Sequence, residues 1–259
     1  MPDPIEPPTP GSFSFQGRTA LVTGAARGVG AAIVREFFAG GARVAVSDVD
    51  AAAAQAMAET LDATGARAIA LALDVRRKTD FEAARDRIVQ AWGRIDILVN
   101  NAGYAKRTPQ ADITPEEFDE IVAINMRSVF FGCQVFGEPM RAQGYGRIVN
   151  ITSLGGQNGG TVASVHYAAA KAGAIMLTKH YAQILAGTGV TVNAIAPGPV
   201  STAKARLSAE QIAGIEQRVP IGRFAEPGEI AAAAALLASE RGGFFVGATL
   251  DMNGGLYVR

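Results

Sequence analysis

Tyr167 and Lys171 are the residues in this sequence whose types and spacing point most directly to chemistry. They lie four residues apart in the alanine-rich stretch SVHYAAAKAGAIMLTKHYAQILA, where a helix would place both side chains on one face. A free phenol has a pKa of about 10, too high for a base at neutral pH, and a neighbouring ammonium lowers that pKa by favouring the phenolate. The pair therefore predicts a general acid/base, although a tyrosine and a lysine also fall four residues apart by chance.

A glycine-rich turn near the N-terminus predicts a dinucleotide site. The segment TALVTGAARGVG, residues 19–30, runs from an apolar strand through Gly24 into a helix that contains Gly28 and Gly30. Glycine lets the backbone approach a pyrophosphate, and a helix N-terminus offers unpaired N–H groups and positive potential. The alternative is a tight turn that needs glycine only for its positive φ angles. The spacing T-G-x-x-x-G-x-G differs from G-x-G-x-x-G and points away from the larger two-domain dehydrogenases.

Asp48 and Arg27 bear on which dinucleotide would bind. Asp48 ends the second predicted strand, where a carboxylate can accept hydrogen bonds from the adenosine ribose and would repel a 2′-phosphate. Alternatively, Asp48 only caps the helix that starts near Asp50. Arg27 lies beside the glycine turn and could pair with a 2′-phosphate. Because Asp48 should lie closer to the ribose, we expect NAD rather than NADP, without excluding NADP.

The elements that must position these residues alternate between short apolar strands and alanine-rich or amphipathic helices. Fully apolar strands that are each followed by a helix indicate a parallel sheet covered on both faces. We predict a single-domain α/β Rossmann fold with a doubly wound, seven-stranded parallel sheet over residues 16–259, preceded by a flexible proline-rich arm, residues 1–15. The predicted strands are 19–23, 43–47, 67–73, 95–99, 147–151, 190–195 and 248–252. The predicted helices lie near 28–40, 50–64, 79–92, 115–141, 165–186 and 227–238.

Composition limits the possible partners. The chain has 24 basic and 24 acidic residues, so no global field attracts nucleic acid or an anionic membrane. Cys133 is the only cysteine, which excludes an intramolecular disulfide, and its apolar surroundings predict a buried thiol. The two histidines, His166 and His180, indicate no metal site. We see no secretory signal and no apolar stretch long enough to cross a bilayer, so a cytoplasmic location is expected.

Several motifs occur together and in order: TGAARGVG (residues 23–30), NNAG (100–103), Asn125, IVNITS (148–153), the Tyr167/Lys171 pair and PGPVST (197–202). This combination closely resembles the short-chain dehydrogenase/reductase family over residues 16–258. The resemblance implies that Tyr167 is the acid/base and that Lys171 lowers its pKa and binds the nicotinamide ribose. It further implies that Ser153 hydrogen-bonds the substrate oxygen and that Asn125 holds a helix distortion and a water of a proton relay.

The same resemblance assigns a set of cofactor-binding residues along the carboxyl edge of the sheet. In chain order they are Gly24, Arg27, Gly28, Val29, Gly30, Asp48, Asp74, Val75, Asn101, Ala102, Gly103, Tyr167, Lys171, Pro197, Gly198, Val200 and Thr202. Asp74 would lie near the adenine, whereas Val200 and Thr202 would contact the nicotinamide carboxamide. Family members commonly form homotetramers through the helices at 115–141 and 165–186, so a homotetramer is expected here.

The substrate should be chosen by the glycine-rich loop after Ser153 and by residues 203–219, which contain a predicted short helix from Ser208 to Arg218. We expect a small-molecule alcohol or ketone of the polyol, sugar or cyclic alcohol class. The C-terminal segment GATLDMNGGLYV also resembles the 3-oxoacyl-[acyl-carrier-protein] reductases, an alternative that would use NADPH. Asp48 opposes that alternative, as do Gly144 and Gln183, which stand where those reductases carry basic docking residues. A catalytically silent, nucleotide-sensing protein is a third and weaker alternative, because all four catalytic residues are present.

Overall fold

A parallel sheet of seven strands forms the centre of the computed structural model, which describes residues 13–160 and 164–258. The strands are β1 (Thr19–Thr23), β2 (Arg43–Asp48), β3 (Ala68–Ala72), β4 (Ile97–Asn100), β5 (Gly146–Ile151), β6 (Val190–Pro197) and β7 (Thr249–Met252). Their spatial order is β3-β2-β1-β4-β5-β6-β7, and every neighbouring pair is parallel. The chain reverses its direction of winding between β1 and β4, which confirms the predicted doubly wound Rossmann sheet.

Helices cover both faces of this sheet. They are α1 (Gly28–Ala39), α2 (Ala51–Leu61), α3 (Lys78–Trp92), α4 (Pro115–Val122), α5 (Ser128–Ala142), α6 (Gly155–Asn158), α7 (Val165–Leu185), α8 (Ala209–Arg218) and α9 (Pro227–Ala238). Successive residues of a strand point to opposite faces. In β1, Ala20 and Val22 therefore join the core beneath α1, α2 and α9, whereas Leu21 joins the core beneath α3, α5 and α7.

The single helix predicted over residues 115–141 is interrupted, and this prediction is corrected. It begins as expected, because Thr114 accepts a hydrogen bond from the Glu117 N–H and Pro115 occupies the first turn. A π-helical turn, Ala123–Arg127, then separates α4 from α5. Asn125 donates to the Ile121 carbonyl, so a side chain competes with the backbone donors that a regular helix would use.

The N-terminal edge of the packed domain lies before Phe15. Most of the predicted arm, residues 1–12, falls outside the described residues. Phe15, its last residue, is buried, and its N–H donates to the Gly40 carbonyl at 2.7 Å. Its ring centroid lies 4.9 Å from that of Phe37 in α1. Phe15 therefore belongs to the hydrophobic core, where the sequence placed it in a flexible segment.

Candidate active site

The glycine turn between β1 and α1 forms a close-packed cradle. Gly24 and Gly28 have φ angles of +62° and +61°. A methyl group added to Gly30 would lie 2.3 Å from the Gly24 carbonyl oxygen, and one added to Gly24 would lie 2.9 Å from the Ala102 Cα. Helix α1 begins without a side-chain cap, because Arg27 at its N-cap accepts no bond from the first turn. Its free N–H groups give the positive end expected of an anion site.

The segment that follows β4 lies directly over this turn. Asn101 donates through Nδ2 to the carbonyl oxygens of Thr23 and Gly24, each at 2.9 Å. In return, Thr23 Oγ1 accepts from the N–H groups of Asn101 and Ala102 at 3.1 Å. These bonds fix residues 100–103 against the end of β1, at the point where the sheet reverses winding. Part of their role is therefore structural.

Asp48 ends β2, and Asp74 lies two residues beyond the end of the neighbouring strand β3, in different surroundings. Asp48 is buried and accepts from the N–H groups of Ala26, at 3.3 Å, and Asp50, at 3.2 Å. Asp50, not Asp48, caps α2 by accepting from the Ala53 N–H, so the capping alternative for Asp48 does not hold. Asp74 is paired with Arg76, whose hydrogen bonds hold the pKa of that carboxyl below its usual range. Its neighbour Val75 is buried in the core, which leaves little of that side chain for a ligand.

Tyr167 and Lys171 lie one turn apart near the start of α7, as predicted. The Lys171 Nζ is 5.8 Å from the centre of the Tyr167 ring and donates to the Ile151 carbonyl of β5 at 2.9 Å. Ser153 follows β5, and its hydroxyl lies near enough to Tyr167 to favour the phenolate. The loop after Ser153 packs on α7 through Gly156, where a methyl group would lie 2.7 Å from the Ala172 nitrogen. Glycine is required at this position because the loop lies directly on the helix backbone.

The charges of this pair differ from those expected from the sequence. Burial raises the pKa of Tyr167, and only the nearby Ser153 hydroxyl opposes this shift. Burial also lowers the pKa of Lys171 from 10.5 to about 8. Within the polypeptide, the cost of removing each charged form from water therefore outweighs the attraction between ammonium and phenolate that the sequence led us to expect.

Asn125 lies in the π-helical turn and joins this turn to the segment after β4. Its amide donates to the Tyr104 carbonyl at 2.8 Å, and its oxygen accepts from the Tyr104 N–H at 3.2 Å. A methyl group added to Gly103 would lie 3.1 Å from the Asn125 oxygen and 3.2 Å from the Lys171 Nζ. Asn125, Lys171 and the backbone of Gly103 therefore converge on one point.

The end of β6 completes the edge. Pro197 is buried in the strand, and Gly198 passes so close to Asn253 that an added methyl group would lie 2.9 Å from the Asn253 Cα. Val200 packs on the core beneath α1 and α9. Exposed Thr202 reaches the glycine turn, because its Cγ2 lies 3.5 Å from the position of a Gly28 methyl group. The cradle is thus bordered by β1, β4 and β6.

His166 and Cys133 are two further buried ionisable groups. The His166 ring is buried, with Nε2 3.2 Å from a Glu117 carboxylate oxygen. Cys133 is buried as predicted, and burial raises the pKa of its thiol to about 12. Among the described residues, no three His, Cys, Asp or Glu side chains are grouped so as to hold a metal ion. Within the same residues, no helix is long and apolar enough to span a membrane.

Sequence reasoning missed two residues that border the site, Tyr104 and Glu117. Asn125 binds Tyr104 through its backbone, so the type of the side chain could not have revealed this contact. The position of Tyr104 directly after NNAG was the one sign in the sequence that it borders the site. Glu117 stands in the first turn of a helix, where an acidic residue is expected to stabilise the helix dipole. Because that local role already explains an acidic residue here, the sequence gives no sign of the bonds from Glu117 to Lys106 and His166.

Comparison with known proteins yields oxidoreductases. The sequence model of a family described as enoyl-(acyl carrier protein) reductase matches residues 24–257. The chain is 38% identical over 252 residues to D-threitol dehydrogenase from Mycolicibacterium smegmatis, covering 95% of both chains. It is 40% identical over 249 residues to the 3-oxoacyl-[acyl-carrier-protein] reductase FabG from Escherichia coli, covering 95% of this chain and 100% of that protein. A glucose/ribitol dehydrogenase from Brucella melitensis, solved as a short-chain dehydrogenase/reductase, superposes with a TM-score of 0.88 at 28% identity, covering 95% of this chain and 99% of that one.

Proposed function

Because the chain belongs to the short-chain dehydrogenase/reductase family, we propose that it interconverts a secondary alcohol and its ketone with NAD(H), using Tyr167 as general acid/base. Membership makes the protein an oxidoreductase that acts on CH–OH and C=O groups and uses a nicotinamide cofactor. The choice of NAD, the substrate class and the roles of individual residues are our proposal.

The observation that carries the proposal is the convergence of four polar side chains beside the glycine cradle. The Ser153 hydroxyl lies near the Tyr167 phenol, while Lys171 and Asn125 both approach the backbone at Gly103. A serine and a tyrosine hydroxyl that meet in this way can share one substrate oxygen, which is what a carbinol or a carbonyl presents at its reacting carbon.

The residues would divide the chemistry as follows. In the direction of oxidation, Tyr167 removes the hydroxyl proton, and Ser153 donates a hydrogen bond to the oxygen that becomes the carbonyl. A bound nicotinamide would supply the hydride chemistry at the same carbon. Lys171 would hold the ribose hydroxyls of the cofactor, and its charge would stabilise the phenolate. Because burial raises the pKa of Tyr167 within the polypeptide, oxidation should accelerate as the pH rises.

The cradle fits a dinucleotide, and Asp48 supports NAD over NADP. Gly24 and Gly28 have positive φ angles, Gly30 lets α1 pack directly against Gly24, and the first N–H groups of α1 have no side-chain cap. A 2′-phosphate carries nearly two negative charges, and its repulsion by a carboxylate at about 5 Å is roughly 2 kcal/mol even in water-like surroundings. We therefore expect NADH to bind at least about tenfold more tightly than NADPH.

Calorimetry on the wild type, Asp48→Ser and Asp50→Ser tests this cofactor choice. Asp48→Ser should reduce the ratio of the NADPH dissociation constant to the NADH dissociation constant. Asp50→Ser removes an equal charge two residues away and keeps a side chain that can cap α2, so it should leave the preference unchanged. Comparable binding of NADH and NADPH by the wild type would overturn the role given to Asp48.

For the substrate we propose the polyol, sugar or cyclic alcohol class, supported by the similarity to D-threitol dehydrogenase. A 3-oxoacyl thioester is the second candidate, favoured by the 40% identity to FabG. Buried Asp48 disfavours NADPH, and the exposed positions Gly144 and Gln183 bear no positive charge for an acidic carrier. These observations favour the first class.

The deciding experiment is a turnover screen with NAD and NADP over polyols including D-threitol, sugars, cyclic alcohols and a 3-oxoacyl thioester. On the best substrate, Tyr167→Phe should lower kcat by a factor of about 100 or more, because the proton acceptor is lost. Tyr181→Phe is the matched control: it lies on the same helix, packs near Phe130 and should retain full activity. Full turnover by Tyr167→Phe would refute the mechanism.

We also propose a homotetramer. Helix α7 exposes Met176 (61%) and Ile184 (47%), apolar side chains that gain from burial against another copy. Light scattering coupled to gel filtration should give four times the chain mass of 26.8 kDa; a monomeric or dimeric mass would contradict this.

A further inference from the structure

Glu117, in the first turn of α4, joins two parts of the candidate site that the chemistry above leaves unconnected. Its carboxylate lies 3.2 Å from His166 Nε2 through one oxygen and 2.5 Å from Lys106 Nζ through the other. The side chain is only 9% exposed, and the His166 ring is buried. This shielded carboxylate therefore bridges the segment after β4 and the beginning of α7.

The charge of Glu117 determines the direction of its bond to histidine. Hydrogen bonds from Lys106 and Thr108 hold the pKa of Glu117 below its usual range, so the carboxylate is ionised at neutral pH. An ionised carboxylate can only accept hydrogen bonds. His166 Nε2 therefore carries the hydrogen and donates the hydrogen bond to Glu117. The other ring nitrogen, Nδ1, is buried and has no partner among the described residues. The bond to Glu117 is therefore the polar contact that orients this ring.

Helix α7 needs such support because it begins without the usual cap. Ser164 occupies the N-cap position, yet its hydroxyl makes no bond to the first turn. It donates instead to the Lys106 backbone carbonyl. An uncapped first turn has unsatisfied N–H groups and frays readily. Tyr167 is the third residue of this turn, so contacts that hold the turn also hold the phenol.

Lys106 belongs to the segment 104–108, which is fixed at two points. Asn125 holds the Tyr104 peptide through both its N–H and its carbonyl. Two residues later, Lys106 is held by Glu117 through its side chain and by Ser164 through its backbone. The segment thus connects the π-helical turn to the first turn of α7, and it lies next to the point where Lys171 approaches Gly103.

We propose that Glu117 is a positioning residue with two separable contributions to the reaction, an inference that rests on the proposed function. Through His166 it holds the first turn of α7, and so it places the Tyr167 hydroxyl for proton transfer. Through Lys106 it holds the segment 104–108, which follows Gly103 beside the catalytic groups and would contact bound substrate. Loss of the first contribution should reduce kcat, and loss of the second should raise KM.

Substitutions separate the two contributions. Glu117→Ala removes both, and kcat should fall by about tenfold or more while KM rises, because small displacements of a proton acceptor are costly. Glu117→Gln keeps an oxygen that accepts from His166 and loses the ion pair, so it should raise KM as Lys106→Met does and keep kcat within about twofold. His166→Phe should lower kcat as Glu117→Ala does. The double variant of Glu117→Ala and His166→Phe should be no slower than either single variant, because the two residues act as one unit.

Two further readouts distinguish positioning from a general loss of structure. The solvent deuterium isotope effect on kcat should increase in Glu117→Ala and His166→Phe, because a misplaced phenol makes proton transfer more rate-limiting. In the cofactor-free protein, hydrogen exchange by mass spectrometry should accelerate at residues 104–108 and in the first turn of α7. Asp119→Asn, which removes an exposed charge from the same helix, is the control and should change neither measurement.

The outcomes also separate this inference from the proposed function. If Tyr167→Phe is as active as the wild type, the proposed function fails. If Tyr167→Phe is inactive but Glu117→Ala matches Asp119→Asn in kcat, KM, isotope effect and exchange, only the role of Glu117 fails. If kcat falls while the isotope effect and the hydrogen exchange are unchanged, Glu117 does not position Tyr167, and the substitution has only lowered the fraction of folded protein.

Discussion

Lys171→Met should make the protein more stable at neutral pH while it removes activity. Lys171 is 3% exposed, and burial lowers the pKa of its ammonium from 10.5 to about 8. A group whose ammonium form is disfavoured in the folded state lowers the free energy of unfolding wherever that form is still populated. Methionine keeps the length of the lysine stem without the charge, and so it removes this penalty.

The size of the effect follows from the two pKa values. The change from 10.5 to about 8 corresponds to about 3 kcal/mol of destabilisation below pH 8. The variant also loses the hydrogen bond from Nζ to the Ile151 carbonyl, which offsets about 1 to 2 kcal/mol of the gain. The net gain at pH 7 is therefore about 1 to 2 kcal/mol. Between pH 8 and 10.5 the folded lysine is neutral while the unfolded one still binds its proton, so the wild type becomes more stable as the pH rises.

Urea unfolding of both proteins from pH 7 to 10.5, at one protein concentration and without cofactor, measures this difference. The advantage of Lys171→Met should shrink by about 3 kcal/mol over that range and change sign at its upper end. Lys179→Met, an exposed position on the same helix, should show a small difference that does not depend on pH. A pH-independent difference for Lys171→Met would refute the argument. The kcat of Lys171→Met should fall by a factor of about 100 or more. A gain in stability with a loss of activity is expected where a residue needed for function destabilises the fold.

Two other substitutions test the framework around the site. Gly30→Ala places a methyl group 2.3 Å from a backbone carbonyl oxygen. It should lower the free energy of unfolding by about 1 to 3 kcal/mol and weaken NADH binding in calorimetry. Gly214→Ala in α8 is the control: open space surrounds this position, so the substitution should leave stability unchanged or slightly increased. Asp96→Ala removes a fully buried carboxylate that accepts from two arginines and the Thr19 N–H, and it should lower the free energy of unfolding by about 3 to 5 kcal/mol in urea. Asp86→Ala, which breaks an exposed ion pair, should cost less than about 1 kcal/mol; equal effects of the two aspartate variants would contradict the importance given to burial.

Most of the fold could be predicted from the sequence because its determinants are local. Each strand is a short apolar run bounded by turn residues, and the observed strand ends differ from the predicted ones by no more than two residues. The helix predicted over 115–141 was only partly right, because its periodicity continues through a turn that the Asn125 side chain distorts. The sequence predicted Phe15 to be part of the proline-rich arm because the residues before it have a composition typical of flexible segments. Its burial depends on contact with Phe37 in α1, which the local sequence does not reveal.

The candidate site was predictable to the extent that its chemistry lies in motifs, and unpredictable where it depends on contacts distant in sequence. Tyr167 and Lys171 share a helix, so their proximity follows from spacing alone. The direction of the pKa shift of Tyr167 does not, since it reflects how much water the surrounding elements exclude. Glu117 lies 49 residues before its histidine partner and 11 after its lysine partner, so only the fold reveals that it bridges them. If Glu117 acts as proposed, the rate of proton transfer at Tyr167 depends on a helix that contributes no residue to the motifs by which the site was found.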